Sequence, residues 1–215
     1  MQKTFSDVST DFLFPKLHGM WAESIHGDRL LQLIEGGRRD ALGRVLAEVG
    51  IDVNNRPEVQ KRLTQHLIDE LAGIMILLDE KNGLFYQRLL DRYFVENLKT
   101  VLHYYYFPEK EVGIDFLLID SPHITALNVD ALLDAKNVNQ FFRNLPEHRL
   151  KRELLPLLVE LDDTREISVT ESRLDQLYYE ELLRAISKLP RRTRNTADAL
   201  VRTEIDNDNL VMIMR

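Results

Sequence analysis

A chain of 215 residues with a formal net charge of −7 suffices for one large domain or two small ones, and folding should bury roughly 70% of its unfolded surface. With 29% charged and 44% hydrophobic residues and no cysteine, the composition is that of a globular protein without disulfides, thiolate metal sites or cysteine catalysis. The acidic balance argues against a nucleic-acid binder, because phosphate binding demands a surplus of Lys and Arg.

The N-terminus, Met1 to Asp7, lacks an apolar segment behind a basic start, so a secretory signal is not expected. Asp28 can cap a short helix over 29–35 that Gly36-Gly37 stops, and 40–49 forms a second one ending at Gly50. From Val59 the apolar positions Leu63, Leu67, Leu71, Met75 and Leu78 recur every three or four residues, which lays a stripe along one helix face. Pro57 suits the first turn of that helix. Its longest apolar run, Leu71 to Leu78, is less than half the ~20 residues needed to cross a bilayer. The cytosol is therefore the expected compartment.

Lys81-Asn82-Gly83 is predicted as a turn, after which the stripe resumes at Phe85, Leu89, Tyr93, Asn97, Val101 and Tyr105, widened by Phe94, Leu98 and Leu102. Asn97 thus falls on the buried face. Pro108 closes this helix, and Ile114 to Ile119 reads either as a short extended piece or as a packed loop. Asn128 and Asn137 are expected to cap helices over 129–136 and 138–144. A helix over 147–161 should be bent or interrupted by Pro156. Ser168-Val169-Thr170-Glu171 has the spacing of a capping box, and the helix it opens carries the stripe Leu174, Leu177, Tyr178, Leu182, Ile186 and Leu189 up to Pro190. Residues 196–215 continue helically, with a polar interruption at Asp206 to Asn209. The result is an all-α chain of short helices paired with long ones, with a soft boundary between Pro108 and Leu127.

Reactive motifs are scarce. Glu23 and His26 have the Glu-x-x-His spacing of di-iron bundles, but such sites require two copies and the chain has one. His66 and Glu70 share a helix face without a third ligand to complete a metal site. No phosphate loop, dinucleotide fingerprint or nucleophile elbow occurs. No catalytic, cofactor-binding or metal residue is assigned. Arg191-Arg192-Thr193-Arg194 reads as a solvated turn, His148 to Arg152 as a second short basic cluster, and Tyr104 to Phe107 as a helix end whose Tyr105 continues the core stripe.

Two stretches repeat. Glu96-Asn97-Leu98-Lys99-Thr100-Val101-Leu102 and Ile205-Asp206-Asn207-Asp208-Asn209-Leu210 resemble the "I-D-x-x-N-L-K-x-x-L" helix found in the C subunit of the archaeal and bacterial V/A-type rotary ATPases, whose eukaryotic counterpart is the d subunit. Leu174 to Leu183, with Tyr178-Tyr179, is similar to the family's "L-D-x-x-Y-Y-x-x-L" helix, and 128–135 with 141–145 resembles its short helix pair. The first copy departs from the pattern by carrying Phe94 in place of its aspartate.

The resemblance implies a funnel-like architecture of repeated helical bundle units, here residues 1–107 and 108–215, with the family's third unit beyond them absent. It also implies a non-catalytic central-stalk (rotor) protein, without cofactors and peripheral to the membrane on its cytoplasmic face. Its partners would be the rotor shaft subunits and the membrane ring, and an acidic chain would suit a basic shaft foot. Asn97, Leu98, Lys99, Tyr178, Tyr179, Asp206, Asn209 and Leu210 become the structural or interaction candidates, with Asn97 and Asn209 in equivalent roles where helices meet. A helical scaffold or adaptor unrelated to that enzyme is the alternative, and a metal-dependent hydrolase or oxidase using Glu23, His26, His66 and Glu70 is a third reading.

Overall fold

A computed structural model describes residues 10–23, 56–108 and 113–213. Among these residues every regular element is helical: α1 (Thr10–Glu23), α2 (Arg56–Met75), α3 (Glu80–Tyr106), a 3-10 turn (Ile114–Phe116), α4 (Val129–Leu133), α5 (Val138–Asn144), α6 (Lys151–Thr164), α7 (Ile167–Ser187) and α8 (Arg191–Ile213). The two short helices expected over 29–35 and 40–49 lie outside the described residues, as does His26.

Helices α3 and α7 form the central pair; α8 packs on α7, α2 and α4 on α3, and α6 on both α5 and α7. The core takes Phe94, Leu98, Val101 and Leu102 from α3, Leu132 and Phe141 from the short pair, Leu154, Leu158 and Leu161 from α6, and Leu174, Leu182 and Ile186 from α7. It therefore crosses the Pro108 position without a break. Complete burial of each such side chain stabilises the fold by about 1.5–3 kcal/mol relative to exposure.

Local chemistry fixes several boundaries as the sequence implies. Asn128 and Asn137 accept hydrogen bonds from the backbone N–H groups of Ala131 at 3.1 Å and Gln140 at 2.9 Å, capping α4 and α5. The segment after Pro108 resolves into the packed loop of the two alternatives, with a single 3-10 turn. Tyr105 packs on Phe141 with ring centroids 4.9 Å apart, which keeps the α3 stripe apolar to its end.

Other boundaries differ. Lys81-Asn82-Gly83 lies inside the first turn of α3, because Asp79 accepts from the N–H groups of Lys81 at 3.0 Å and Asn82 at 2.9 Å and so starts the helix earlier. Ser168 to Glu171 forms no capping box: α7 already begins at Ile167, after Glu166, whose N–H donates to the Thr164 hydroxyl at 3.2 Å. Pro156 sits within α6, which continues through it to Thr164, although a proline there removes the hydrogen bond its N–H would have made to the Arg152 carbonyl. α6 begins at Lys151 rather than 147.

Helix α8 starts at Arg191, five residues before expectation, and runs unbroken through Asp206 to Asn209. The Arg191 to Arg194 cluster is thus its first turn, in which the Arg194 guanidinium donates twice to the Leu189 carbonyl, at 3.2 and 3.0 Å. On α2 the covered face is rotated from the expected one. Ile68, Ala72 and Ile74 are buried while Leu63 and Leu67 are 44% and 49% exposed. The rotation follows from what α2 meets: Lys61 donates to the Asp115 carbonyl at 2.7 Å and Gln65 to that of Asp120 at 2.6 Å, turning this side of the helix onto the loop.

Candidate functional site

Where α3, α7 and α8 converge, each pair of helices is joined by one polar contact. Lys99 of α3 lies 2.6 Å from Asp175 of α7 and 3.2 Å from its own Glu96. Arg92 of α3 pairs with Glu204 of α8. The Tyr179 hydroxyl of α7 donates to Asp208 of α8 at 2.6 Å. Between these contacts lies a cleft of about 480 Å³ whose lining includes Val95, Leu183, Ile205, Glu180 and Asn209.

The electrostatics of the cleft are one-sided. Burial works against the Arg92 and Lys99 charges, yet Glu204 in the first case and Asp175 with Glu96 in the second hold both cations above their ordinary range. Asp175 moves up as well, contrary to what a cation partner alone would do. Its burial outweighs the pull of Lys99, and the negative charges of Glu96 and Asp208 add to the rise. Burial pushes the Tyr178 and Tyr179 hydroxyls far up, with the Asp208 hydrogen bond contributing for Tyr179, so both stay protonated at neutral pH. These groups are built to hold position. Nothing in the arrangement supplies a nucleophile with an adjacent base.

The structure brings Lys99, Tyr178, Tyr179 and Asn209 together around this cleft. Leu98 instead lies in the core at 1% exposure, and Asn97 faces the opposite way, toward the loop backbone at Ile119. Asp206 and Leu210 are exposed on α8. The two Asn-Leu stretches therefore occupy unlike environments: Asn97 is buried in mid-helix, whereas Asn209 is exposed near the end of α8. Equivalent roles for the two asparagines do not hold, because a loop crosses α3 at Asn97 and no comparable hydrogen bond engages Asn209 among the described residues.

Sequence reasoning assigns no role to Arg92, Asp175, Glu204 or Asp208. A signal is present all the same: Arg92 and Lys99, Asp175 and Tyr179, and Glu204 and Asp208 are each spaced by whole helical turns beside an apolar stripe, so each pair shares a face.

A second polar junction ties α3 to the loop before α6. Asp91 accepts from Arg88 at 3.2 Å and forms an ion pair with Arg149 at 3.0 Å, and His148 Nε2 lies 3.4 Å away. The His148 ring stacks on Phe94 with centroids 4.1 Å apart, while its Nδ1 accepts the Leu150 N–H at 3.3 Å. Arg149 continues to Glu181 of α7 at 3.6 Å.

Among the described residues no group of three His, Asp or Glu side chains is placed to hold a metal ion, which includes His66 and Glu70. No described helix is long and apolar enough to cross a membrane.

Comparison with known proteins bears on the same helices. The C subunit of an A-type ATP synthase from Methanosarcina mazei is 29% identical over 126 residues, covering 59% of this chain and 34% of the relative. The aligned part thus spans about a third of that relative's length. No solved structure matches significantly. A family model described as "ATP synthase (C/AC39) subunit" matches residues 38–215, a span that includes α3, α7, α8 and the cleft between them, and the chain belongs to this family of non-catalytic ATP synthase subunits.

Proposed function

We propose that the chain acts as a central-stalk component of a V/A-type rotary ATPase. It sits peripherally on the cytoplasmic side and passes rotation between the rotor shaft and the membrane ring, so that ATP turnover and ion transport stay coupled. The observation that carries this reading is the family match over residues 38–215. The cross-tied geometry supports it. A torque-bearing joint has to resist sliding of one helix past another, and α3, α7 and α8 combine close apolar packing with the Lys99–Asp175, Arg92–Glu204 and Tyr179–Asp208 contacts. In this role Lys99, Tyr178 and Tyr179 hold the joint from within, Asn97 and Leu98 brace α3, and Asp206, Asn209 and Leu210 face outward toward partners.

Depletion and add-back test the proposal. A complex lacking this protein should hydrolyse ATP while losing ATP-driven ion transport, and adding the protein back should restore transport and co-purify with shaft and ring. Transport that persists without it, or failure to associate with either partner, would refute the role.

A further inference from the structure

We infer that His148 is an acid-released latch between α3 and α6: it holds the first turn of α6 only while its ring is neutral, and a proton taken up on Nδ1 opens that turn. The inference is independent of the stalk reading.

The hydrogen bonds leave the ring one state. Nδ1 accepts the Leu150 N–H at 3.3 Å, so the ring proton sits on Nε2, with Asp91 as its acceptor 3.4 Å away. An imidazolium would carry an N–H on Nδ1 as well, set donor to donor against Leu150. Little room is left to turn away, because the side chain is 6% exposed and stacks on Phe94 with centroids 4.1 Å apart. Leu150 is itself 3% exposed, so its N–H would be stranded away from water. The same segment starts α6: the His148 carbonyl accepts from Lys151 at 2.9 Å and the Leu150 carbonyl from Glu153 at 3.0 Å. The positive end of a helix is a poor place for a new cation.

The surrounding charges do not favour an imidazolium either. Asp91 of α3 is already shared by Arg88 and Arg149, and Arg149 also reaches Glu181 of α7 at 3.6 Å. On the ring's own segment Lys151 pairs with Glu147 at 2.9 Å. Tyr178 of α7 feels the Asp91 charge but keeps its proton, since burial pushes its hydroxyl far up. A protonated ring would thus be a third cation on one carboxylate. Histidine changes charge between roughly pH 5 and 8, which is where the latch opens.

Two measurements on the full chain test this. At neutral pH the nitrogen NMR signals of the His148 ring should show Nδ1 bare and Nε2 protonated. As pH falls from about 7.5 to about 5.5, hydrogen-exchange protection of the Leu150, Lys151 and Glu153 amides should drop about three- to tenfold relative to the Leu182 amide of α7, the worth of one backbone hydrogen bond. In His148→Asn protection should stay level. An Asn carboxamide accepts the N–H two residues on, as the Asp79 carboxylate does for Lys81 at 3.0 Å, and takes up no proton. The wild-type measurements decide even where the variant fails to fold. A proton on Nδ1 at neutral pH, wild-type protection that holds or rises on acidification, or an equal drop in the variant would overturn the inference.

Discussion

Asn97 grips the backbone of Ile119 with both ends of its amide: Nδ2 donates to the carbonyl at 2.7 Å and Oδ1 accepts the N–H at 2.8 Å. One side chain in the middle of α3 thereby satisfies both backbone groups of a loop residue that no strand or helix would pair. Two net hydrogen bonds of about 0.5–1.5 kcal/mol each, with part of the cost of stranding their partners, put Asn97→Ala at about 2–4 kcal/mol. For a chain of this size that is a melting-temperature fall of roughly 5–15 °C. Asn97→Asp keeps the acceptor but sets a second carboxylate oxygen against the Ile119 carbonyl, so it too should melt low. Unchanged melting of both variants would show that the clamp contributes nothing.

The Asp79 cap gives a prediction with a pH sign. Hydrogen bonding from the Asn82 N–H, opposed in part by burial, holds the Asp79 carboxyl below its usual range. A carboxyl lowered in the folded state binds fewer protons there than when unfolded, so its contribution is present above the unfolded value of about 3.9 and is lost as pH falls through the lower folded value. Asp79→Ala should cost about 1 kcal/mol at neutral pH. The difference from wild type should shrink below about pH 4, as followed by urea unfolding at a series of pH values. A difference that stays constant down to the lowest pH would show that the ionised cap is not its source.

The short-range part of this fold is legible in the sequence because its causes are short-range. Asn128 and Asn137 cap helices that begin at the next residue, and the α3 stripe places Asn97 inside because period and burial agree along the whole helix. The covered face of α2 is not legible, for a definable reason: periodicity says which residues share a face, not which face the rest of the chain covers. Leu63 and Leu67 form the better-looking stripe, yet the loop approaches the side bearing Lys61, Gln65 and Ile68. The cleft is legible only in halves. Each helix shows its own polar pair, but that Lys99 meets Asp175, or Arg92 meets Glu204, depends on tertiary placement across 76 and 112 positions of sequence.

The Asp91 junction should behave as a coupled unit. Asp91 and Arg88 have side chains only 15% and 14% exposed, and the Arg149 Nε is buried without a hydrogen-bond partner. Asp91→Ala would leave the Arg88 and Arg149 guanidiniums partly desolvated without their shared carboxylate, at a cost of about 2–3 kcal/mol. Arg149→Met should cost less, because it removes a poorly satisfied charge and keeps the apolar stem. A double-mutant cycle between the two should give a coupling of about 1 kcal/mol or more. Additive losses would mean that Asp91 and Arg149 act independently despite their 3.0 Å contact.

The orientation of α2 can be checked by truncating one residue on each of its faces. Ile68 is fully buried, so Ile68→Ala should lose its transfer energy and leave a cavity, about 2–4 kcal/mol in all. Leu63 is 44% exposed and keeps much of its surface in water in either state, so Leu63→Ala should cost about 1 kcal/mol or less. Had the apolar stripe of the sequence faced the core, the order would reverse. Leucine also favours a helix nearly as well as alanine does, so propensity cannot mask the contrast. Denaturant midpoints of the two variants, taken at equal slope, decide it: a larger loss at Leu63 than at Ile68 would mean that α2 packs through its other face.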